Sequence, residues 1–212
     1  EIPSVRSGRR AYEPVAGEVF YNGVSYQDSG VDARAAMRRR WGITYQAGGL
    51  FSAMTLAENV ALPLTQYTSL DVASVREMVS YKLALVGLAG FEEYYPSEIS
   101  GGMQKRAGLA RAIALDPEIL FFDEPSAGLD PVSSRLLDEL IMQMRDVLGV
   151  TVVIVTHELA SIFAIASNSV YLDAETRTML DTGSPRELLR SSPHAAVRRF
   201  LARGDAAATG SP

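Results

Sequence analysis

The sequence has no cysteine, only two lysines and two histidines, and no long apolar run. The absence of cysteine excludes disulfide bonds and thiolate metal sites, and it fits a reducing compartment such as the cytoplasm. A membrane-spanning helix needs about 18 to 20 consecutive apolar residues, and a signal peptide needs an apolar segment near its start; neither is present. We therefore expect a cytoplasmic chain that reaches a membrane only through a partner.

The charge balance is slightly acidic, with 25 acidic and 20 basic residues and a net charge of -5. Such a chain offers no basic footprint for DNA or RNA, so we expect no nucleic-acid partner. Apolar residues make up 47% of the 212 residues, which is sufficient for a packed core. The composition therefore predicts a globular domain.

The order of the segments predicts one α/β domain with an inserted helical part. Residues 1–16 follow neither the strand nor the helix period, and we interpret them as an irregular arm. Residues 17–202 alternate between strand and helix patterns, with a helical subdomain at about residues 52–98. The small and polar residues 203–212 predict a flexible tail.

Local signals define several of the predicted elements. The Asn22-Gly23 pair favours a tight hairpin turn, and the Thr55 to Glu58 spacing favours a capping box at a helix start. The segment from Ile119 to Asp123 is a continuous apolar run up to its last residue, which is typical of a strand buried on both faces of a parallel sheet, and Val150 to Thr156 is predicted to be a second buried strand.

Two adjacent carboxylates, Asp123 and Glu124, follow the apolar segment 119–122. Open α/β sheets bind ligands at the carboxyl ends of their strands, so this position suits a ligand site. An acidic pair alone is equally explained by a solvated turn. The pattern resembles a Walker B strand, and that resemblance implies that Asp123 holds Mg²⁺ while Glu124 polarises an attacking water.

A glycine-led helix start lies about 20 residues before this pair and consists of Ser100, Gly101, Gly102, Met103 and Gln104. The glycines let a phosphate approach the backbone, and the helix N-terminus supplies positive potential. Taken by itself, Ser-Gly-Gly is better explained as an ordinary serine-capped helix.

The order of five motifs along the chain resembles that of the ABC (ATP-binding cassette) ATPases. Gln46 matches the Q-loop, residues 100–104 the signature motif, Asp123 and Glu124 Walker B, residues 126–130 with Asp130 the D-loop, and His157 the switch histidine. The resemblance covers roughly residues 17–201 and implies an ABC-type P-loop NTPase core, a mostly parallel sheet flanked by helices, truncated at its N-terminus.

The resemblance also implies a mechanism. Two subunits, a homodimer in the intact parent, would hold ATP and Mg²⁺ between them, with residues 100–104 and Asp130 among the nucleotide contacts. Gln46 would approach Mg²⁺ and the attacking water, and His157 would contact the γ-phosphate. ATP would close the dimer because it binds the closed state better than the open one.

The family's phosphate-binding P-loop, G-x-x-x-x-G-K-[ST], is absent from the sequence. Neither Lys82 nor Lys105 follows a glycine or precedes serine or threonine. A strand, phosphate loop and helix take on the order of 30 residues, so we expect the sheet to lack a central piece. We expect the chain to be a fragment of a parent that carries the P-loop, rather than a naturally truncated subunit, and to be inactive alone.

Four segments resemble the Mla/Mce-type lipid-transport ATPases: residues 45–51, 58–64, 96–106 and 193–201. This resemblance implies lipid or phospholipid transport across a bacterial envelope. The implied partners are a membrane permease and an Mce-domain lipid-binding protein, and the implied location is the inner face of the inner membrane. Residues 48–64 would border the surface that receives the permease, although Phe51, Met54 and Leu56 could equally be ordinary packing residues.

Two other functions stay open at this point. A degenerate ABC-like regulatory subunit would fold and bind a partner without hydrolysing ATP. A non-transport ABC ATPase would have a soluble partner and no membrane complex.

Overall fold

The computed structural model describes residues 17–46 and 48–208. The predicted irregular arm at residues 1–16 lies outside the described residues. The elements follow one another as β1 (Phe20–Tyr21), β2 (Val24–Ser25), α1 (Val31–Arg39), β3 (Trp41–Thr44), α2 (Leu56–Tyr67), α3 (Val72–Leu85), a short 3-10 helix (Pro96–Glu98), α4 (Gly101–Ala112), β4 (Ile119–Asp123), α5 (Pro131–Leu148), β5 (Thr151–Val155), α6 (Leu159–Ile165), β6 (Ser169–Leu172), β7 (Met179–Gly183), α7 (Pro185–Ser191) and α8 (Ala195–Ala208). The predicted α/β fold is confirmed.

A parallel sheet in the order β3, β4, β5 positions the chemistry-bearing residues. Thr44 of β3 is level with Phe122 of β4, and Asp123 is level with Val155 of β5. The carboxyl ends of the three strands therefore lie at one edge of the sheet. The residues that follow these strands, Gln46, Glu124 and His157, share that edge.

Small side chains on α4 let this helix lie close to the sheet and to the helical insertion. Ala107 and Ala110 are fully buried, as are Leu56 of α2, Leu83 of α3 and Leu120 of β4. Burial of apolar surface contributes about 25 cal/mol per Å², so this shared cluster ties the insertion to the sheet. The signature-like helix start is thereby held on a rigid element.

Aromatic rings cover part of the opposite face of the sheet. The Trp41 ring centroid lies 5.7 Å from those of Tyr21 and Tyr26 and 6.0 Å from that of Phe121. The β1–β2 hairpin therefore packs on the sheet through its tyrosines. Its turn residues Asn22 and Gly23 both have positive φ, which confirms the predicted tight turn.

Gly42 lies where β3 passes against α4 with no space for a side chain. A Cβ there would stand 2.4 Å from the Ala112 carbonyl oxygen and 2.5 Å from Leu120 Cδ2. We expect Gly42→Val to lower the free energy of unfolding by about 1 to 3 kcal/mol. This steric cost exceeds the gain from valine's strand propensity, whose whole scale spans about 1 kcal/mol.

Urea unfolding followed by circular dichroism measures this loss. Gly30→Ala is the matched control, because a Cβ at Gly30 would meet no atom within 4 Å and φ is -65° there. An unchanged urea midpoint for Gly42→Val would contradict the close approach of β3 and α4.

The helix boundaries follow local capping chemistry, as the sequence predicts for α2. The Thr55 hydroxyl accepts a hydrogen bond from the Glu58 N–H at 3.2 Å, and the Glu58 carboxylate accepts one from the Thr55 N–H at 2.7 Å. The sequence analysis did not identify α1. None of the α1 residues is buried, so its sequence carries no apolar stripe that would mark a helix.

One prediction about secondary structure is wrong. β5 is not a fully buried strand: its central residues Val152 to Ile154 are half-buried and Val155 is 40% exposed. Among the described residues β5 pairs with β4 alone, so its other edge is open. The predicted flexible tail at residues 203–212 overlaps α8, which continues to Ala208 because alanine favours helix. Residues 209–212 lie outside the described residues, and the flexibility of the tail stays a prediction.

Among residues 17–46 and 48–208, none of the helices combines the length and the apolar character that a bilayer crossing requires.

Candidate functional site

Glu124 is the residue around which the site is built. It follows β4 directly and has φ +47°, a conformation that is uncommon for residues with a side chain. Its N–H donates to the Val155 carbonyl at 2.9 Å, which continues the pairing of β4 with β5 by one residue. The carboxylate lies 2.7 Å from His157 Nδ1 and accepts a hydrogen bond from the Thr156 hydroxyl at 3.1 Å.

This arrangement orients the carboxylate of Glu124 from two sides. Left-handed backbone in a non-glycine residue costs on the order of 1 to 3 kcal/mol and is concentrated at functional sites. Here the strain is compensated by the contacts to Thr156 and His157. A carboxylate held in this way at the carboxyl edge of a sheet can accept a proton from a bound water.

The hydrogen bond to Glu124 raises the pKa of His157, and the negative charges of Glu124 and Glu158 act in the same direction. The His157 side chain is 77% exposed, so solvent screens these charges. A raised folded-state pKa means that the pair stabilises the fold below about pH 6.5, the unfolded value. That stabilisation is lost as the pH rises through the folded-state pKa.

We expect Glu124→Gln to return the pKa of His157 toward its ordinary value, because the negative charge is removed and a neutral amide oxygen is a weaker acceptor for a protonated ring than a carboxylate. An NMR titration of the ring C–H signals measures this shift. The chain has two histidines, so His194→Asn leaves a single titrating signal. A pKa of His157 that is the same in the Glu124→Gln variant would contradict the contact.

Asp123 and Gln46 present unengaged polar groups at the same edge. Both side chains are exposed, and neither has a hydrogen bond or ion pair to another of the described residues. Gln46 lies two residues beyond Thr44, the last residue of β3 that pairs with β4. The predicted residues Gln46, Asp123, Glu124 and His157 therefore share one edge of the sheet, and two of them, Glu124 and His157, are in contact.

A magnesium ion fits this donor set. Mg²⁺ is commonly bound through one or two carboxylates, with water and substrate phosphates completing its octahedral shell. No group of three or more histidine, aspartate or glutamate side chains in the described part of the chain could hold a metal ion by itself. Asp123 therefore suits a metal that arrives with a phosphate ligand.

The predicted signature residues divide into two groups. Ser100 caps α4 by accepting from the Met103 N–H at 3.3 Å, and a Cβ added at Gly101 would meet nothing within 4 Å. The Gln104 side chain instead donates to the Pro96 carbonyl at 2.9 Å, and Met103 packs against the core. Ser100, Gly101 and Gly102 are thus the positions that leave backbone open to a ligand.

Lys105, which the sequence analysis did not assign to the site, connects α4 to the segment after Glu124. Its ammonium donates to the carbonyl oxygens of Pro125 and Ala127, each at 2.5 Å. Burial lowers the pKa of Lys105, and the charge of Glu124 opposes that shift. The lysine therefore fixes the predicted D-loop relative to the helix start.

Asp130 at the end of this D-loop caps α5. Its carboxylate accepts from the N–H groups of Val132 and Ser133, both at 3.0 Å. Hydrogen bonds from the side chain and backbone of Ser133 lower the pKa of Asp130. The Asp130 side chain therefore stabilises the start of α5 in this structure.

The turn after Gln46 lies directly on α4. A Cβ at Gly108 would stand 2.5 Å from the Gly48 carbonyl oxygen, and one at Gly48 would stand 2.9 Å from the Gln104 carbonyl oxygen. Backbone meets backbone here, so a displacement of one element is transmitted to the other. The Q-loop segment and the signature-like helix are mechanically coupled.

A buried asparagine fixes the loop that follows. The Asn59 amide accepts from the Phe51 N–H at 2.8 Å and donates to the carbonyl oxygens of Phe51, Met54 and Thr55. Leu56 is fully buried, whereas Phe51 is 52% exposed and lies 5.7 Å from the Arg111 guanidinium. Leu56 is thus a packing residue, and Phe51 presents its ring at the surface.

The structure combines a parallel sheet, polar residues at the carboxyl ends of its strands and a glycine-led helix start. This combination is typical of α/β proteins that bind nucleotides. Residues 8–127 match the sequence pattern of a protein family described as "ABC transporter". That match exceeds half of the chain, and the chain belongs to this family. The predicted resemblance to the ABC ATPases is confirmed.

Similar proteins include the probable ribonucleotide transport ATP-binding protein mkl of Mycobacterium tuberculosis, 40% identical over 188 residues, which cover 89% of this chain and 52% of mkl. The intermembrane phospholipid transport system ATP-binding protein MlaF of Escherichia coli K12 is 37% identical over 188 residues, which cover 89% of this chain and 69% of MlaF. The chain therefore spans about half the length of the mycobacterial relatives.

A solved structure of the same class shares the fold. The ATP-binding cassette MJ0796, in a dimeric post-hydrolysis state bound to ADP and Pi, matches with a TM-score of 0.67 and 29% identity. The match covers 76% of this chain and 71% of that chain.

Proposed function

We propose that the chain carries the catalytic and signature parts of an ABC transporter ATPase subunit, and that the transporter moves lipid in a bacterial envelope. One observation carries this proposal: the Glu124 carboxylate is held by His157 and Thr156 at the sheet edge, beside the unengaged Asp123. Hydrolysis of a phosphoanhydride needs a base of this kind next to a metal-binding carboxylate.

Each residue of the edge has a proposed role. Asp123 holds Mg²⁺, which neutralises charge on the phosphates when bound. Glu124 accepts the proton of the attacking water, and Gln46 helps to orient that water. His157 keeps the Glu124 carboxylate in place and contacts the terminal phosphate.

The open helix start at Ser100 to Gly102 acts in the nucleotide site of a second subunit. Its backbone N–H groups and helix dipole suit a phosphate. The similarity to a cassette whose structure is dimeric and bound to ADP and Pi supports this arrangement. The chain by itself lacks the P-loop sequence, so we propose that it does not hydrolyse ATP alone.

The membrane partner docks on the surface next to the Q-loop. Phe51 presents its ring there, and Asn59 holds the surrounding loop in one conformation. We propose a permease as this partner, an Mce-domain protein beyond it, and a location on the inner face of the membrane. The name of MlaF, a phospholipid transport protein, supports lipid as the substrate.

A mixed dimer tests the function of the signature residues. An intact MlaF subunit whose own signature serine is replaced by arginine should be inactive as a homodimer. Addition of this chain should restore ATP turnover, because residues 100–102 then complete the partner's site. Ser100→Arg in this chain should lower the restored turnover about a hundredfold, the effect expected when donors to a developing negative charge are lost.

The matched control is Ser74→Arg, since Ser74 lies on α3 away from the site. It should leave the restored turnover unchanged. If the unmodified chain binds the intact subunit but restores no turnover, the proposed role of residues 100–102 is wrong. The transported class is tested separately, by copurification of lipid or of nucleotide with the membrane complex.

A further inference from the structure

Helix α6, which follows His157, has few interactions that would fix it on its own. It is seven residues long, and Ser161 is the one residue among them that is buried. Glu158, the residue before the helix, makes no hydrogen bond from its side chain to cap it. Isolated helices of this length are marginal in water. The position of α6, and of His157 just before it, therefore depends on contacts with other elements.

The apolar residues of α6 pack on the C-terminal elements of the chain. Leu159, Ile162 and Phe163 are half-buried against a cluster that includes the fully buried Val197 of α8. The main core, which contains Ile141 of α5, is a separate cluster. Apolar packing thus joins α6 to the C-terminal helices, and its position relative to α5 is left to polar contacts.

A hydrogen bond between two buried side chains joins α6 to α5. Ser161 Oγ donates to Asp138 Oδ2 at 2.7 Å, and these residues are 2% and 6% exposed. A hydrogen bond to a carboxylate is strong, and burial removes the competition from water. Since α5 packs in the main core, this bond connects α6 to a rigid element.

Asp138 is unfavourable for stability at this position. Its second oxygen, Oδ1, is buried and accepts no hydrogen bond from the described residues. Burial raises the pKa of Asp138, the hydrogen bond from Ser161 opposes that shift, and the charge of Glu158 adds to it. An apolar pair of similar size would avoid this desolvation. Stability alone therefore does not explain a carboxylate here, whereas the orientation of α6 does.

We propose that the hydrogen bond between Asp138 and Ser161 is a positioning contact that holds α6, and with it the ring of His157, at the functional site. His157 lies two residues before α6, and its Nδ1 is 2.7 Å from the Glu124 carboxylate. A segment this short transmits a displacement of α6 to the ring. The inference rests on the proposed function where it concerns ATP turnover, because that function makes Glu124 the base.

Ser161→Ala removes this hydrogen bond without a change of charge. The pKa of His157 should then fall toward its value in the Glu124→Gln variant, because the ring is no longer held at the carboxylate. The measurement is the NMR titration of the ring C–H signals of the full chain, in the His194→Asn background. A purely structural role of Ser161 would change the urea midpoint and leave the pKa of His157 in the folded chain unchanged.

Asp138→Asn is the matched control. Asparagine loses the charge but keeps an oxygen that accepts from Ser161. The charges that raise the pKa of His157 are those of Glu124 and Glu158, so the loss of the Asp138 charge has no direct effect on it. The pKa of His157 should therefore stay close to that of the unmodified chain.

A double variant provides the measurement if Ser161→Ala does not fold. Asp138→Leu combined with Ser161→Ala replaces both partners by apolar groups and leaves no buried polar atom unpaired. It should unfold at the same or a higher urea concentration and show the same fall in the pKa of His157. An unchanged pKa in Ser161→Ala, or in the double variant, would overturn the proposal. An equal fall in Ser161→Ala and Asp138→Asn would overturn it too, because the acceptor would then not matter.

ATP turnover separates this inference from the proposed function. If His157 responds as expected, but the chain supplied with a phosphate loop shows no Glu124-dependent turnover, the positioning role holds and the proposed function fails. If turnover depends on Glu124 and Ser161→Ala changes neither turnover nor the pKa of His157, the positioning role fails and the proposed function holds. Where both hold, Ser161→Ala should lower turnover about tenfold to a hundredfold, the scale expected when a group in the site is displaced.

Discussion

Glu124→Gln should lower ATP turnover about a hundredfold or more when the chain is supplied with a phosphate loop. For this measurement a designed segment of about 30 residues, here called the P-loop polypeptide, is joined ahead of Gly17; it consists of an apolar strand, a G-x-x-x-x-G-K-[ST] loop and a helix. Turnover is followed by phosphate release. The expected loss is that of a general base, about 10² to 10⁴. Glutamine keeps the size of the side chain but cannot take up the proton of the attacking water.

ATP affinity distinguishes this effect from unfolding or lost binding. Glu124→Gln should keep the ATP affinity of the fused chain within about threefold, a difference of less than 1 kcal/mol. Asp123→Asn is the comparison variant, and it should weaken Mg²⁺-dependent binding as well as turnover. Turnover of the Glu124→Gln variant at the unmodified rate would exclude Glu124 as the base.

Asp116→Asn should lower the free energy of unfolding by about 2 to 3 kcal/mol. The Lys82 side chain is 1% exposed and forms an ion pair with Asp116, whose side chain is 66% exposed. Removing one partner of a buried pair costs about 3 to 5 kcal/mol, and solvent at Asp116 reduces that value. Asparagine tolerates the φ of +49° at this position, so backbone strain adds little.

A double-mutant cycle identifies the cause of this loss. Lys82→Met replaces the buried ammonium with an apolar side chain of similar length and should change stability by about 1 kcal/mol or less. In the Lys82→Met background, Asp116→Asn should then cost almost nothing. An equal cost of Asp116→Asn in both backgrounds, measured by urea unfolding, would show that the ion pair is not responsible.

The sheet edge was predictable because its residues lie next to strong local signals. Asp123 and Glu124 end an apolar strand, and His157 follows another, so parallel pairing alone places them at one edge. The Thr55 cap and the Asn22-Gly23 turn are likewise determined by residues close in sequence. The direct contact of His157 Nδ1 with the Glu124 carboxylate, at 2.7 Å, was not among the predictions.

Contacts between distant segments were not predictable from local patterns. The local sequence predicts that Lys105 is an exposed helix residue. In the structure its ammonium donates to the carbonyl oxygens of Pro125 and Ala127, about 20 residues later in the chain. The local sequence predicts that Asn59 is a polar residue on the exposed face of an amphipathic helix. In the structure it is fully buried and accepts a hydrogen bond from the backbone N–H of Phe51 in the preceding loop. In both cases a polar side chain compensates backbone groups that only the folded arrangement brings near it.

The exposure of β5 has a similar origin. A run such as Thr-Val-Val-Ile-Val predicts a strand buried on both faces, but burial also depends on a neighbour at each edge. Among the described residues β5 pairs with β4 alone, so one of its edges has no neighbouring strand and its side chains stay partly exposed.

The most direct measurement is ATP turnover by the chain alone and by the chain joined to the P-loop polypeptide, each compared with its Glu124→Gln variant. The chain alone should hydrolyse no ATP above its Glu124→Gln variant, and the fused chain should hydrolyse ATP in a manner that depends on Glu124. Glu124-dependent hydrolysis by the chain alone, or a folded, ATP-binding fusion without turnover, would contradict the assignment of this chain as the catalytic part of a nucleotide site whose phosphate loop must be supplied.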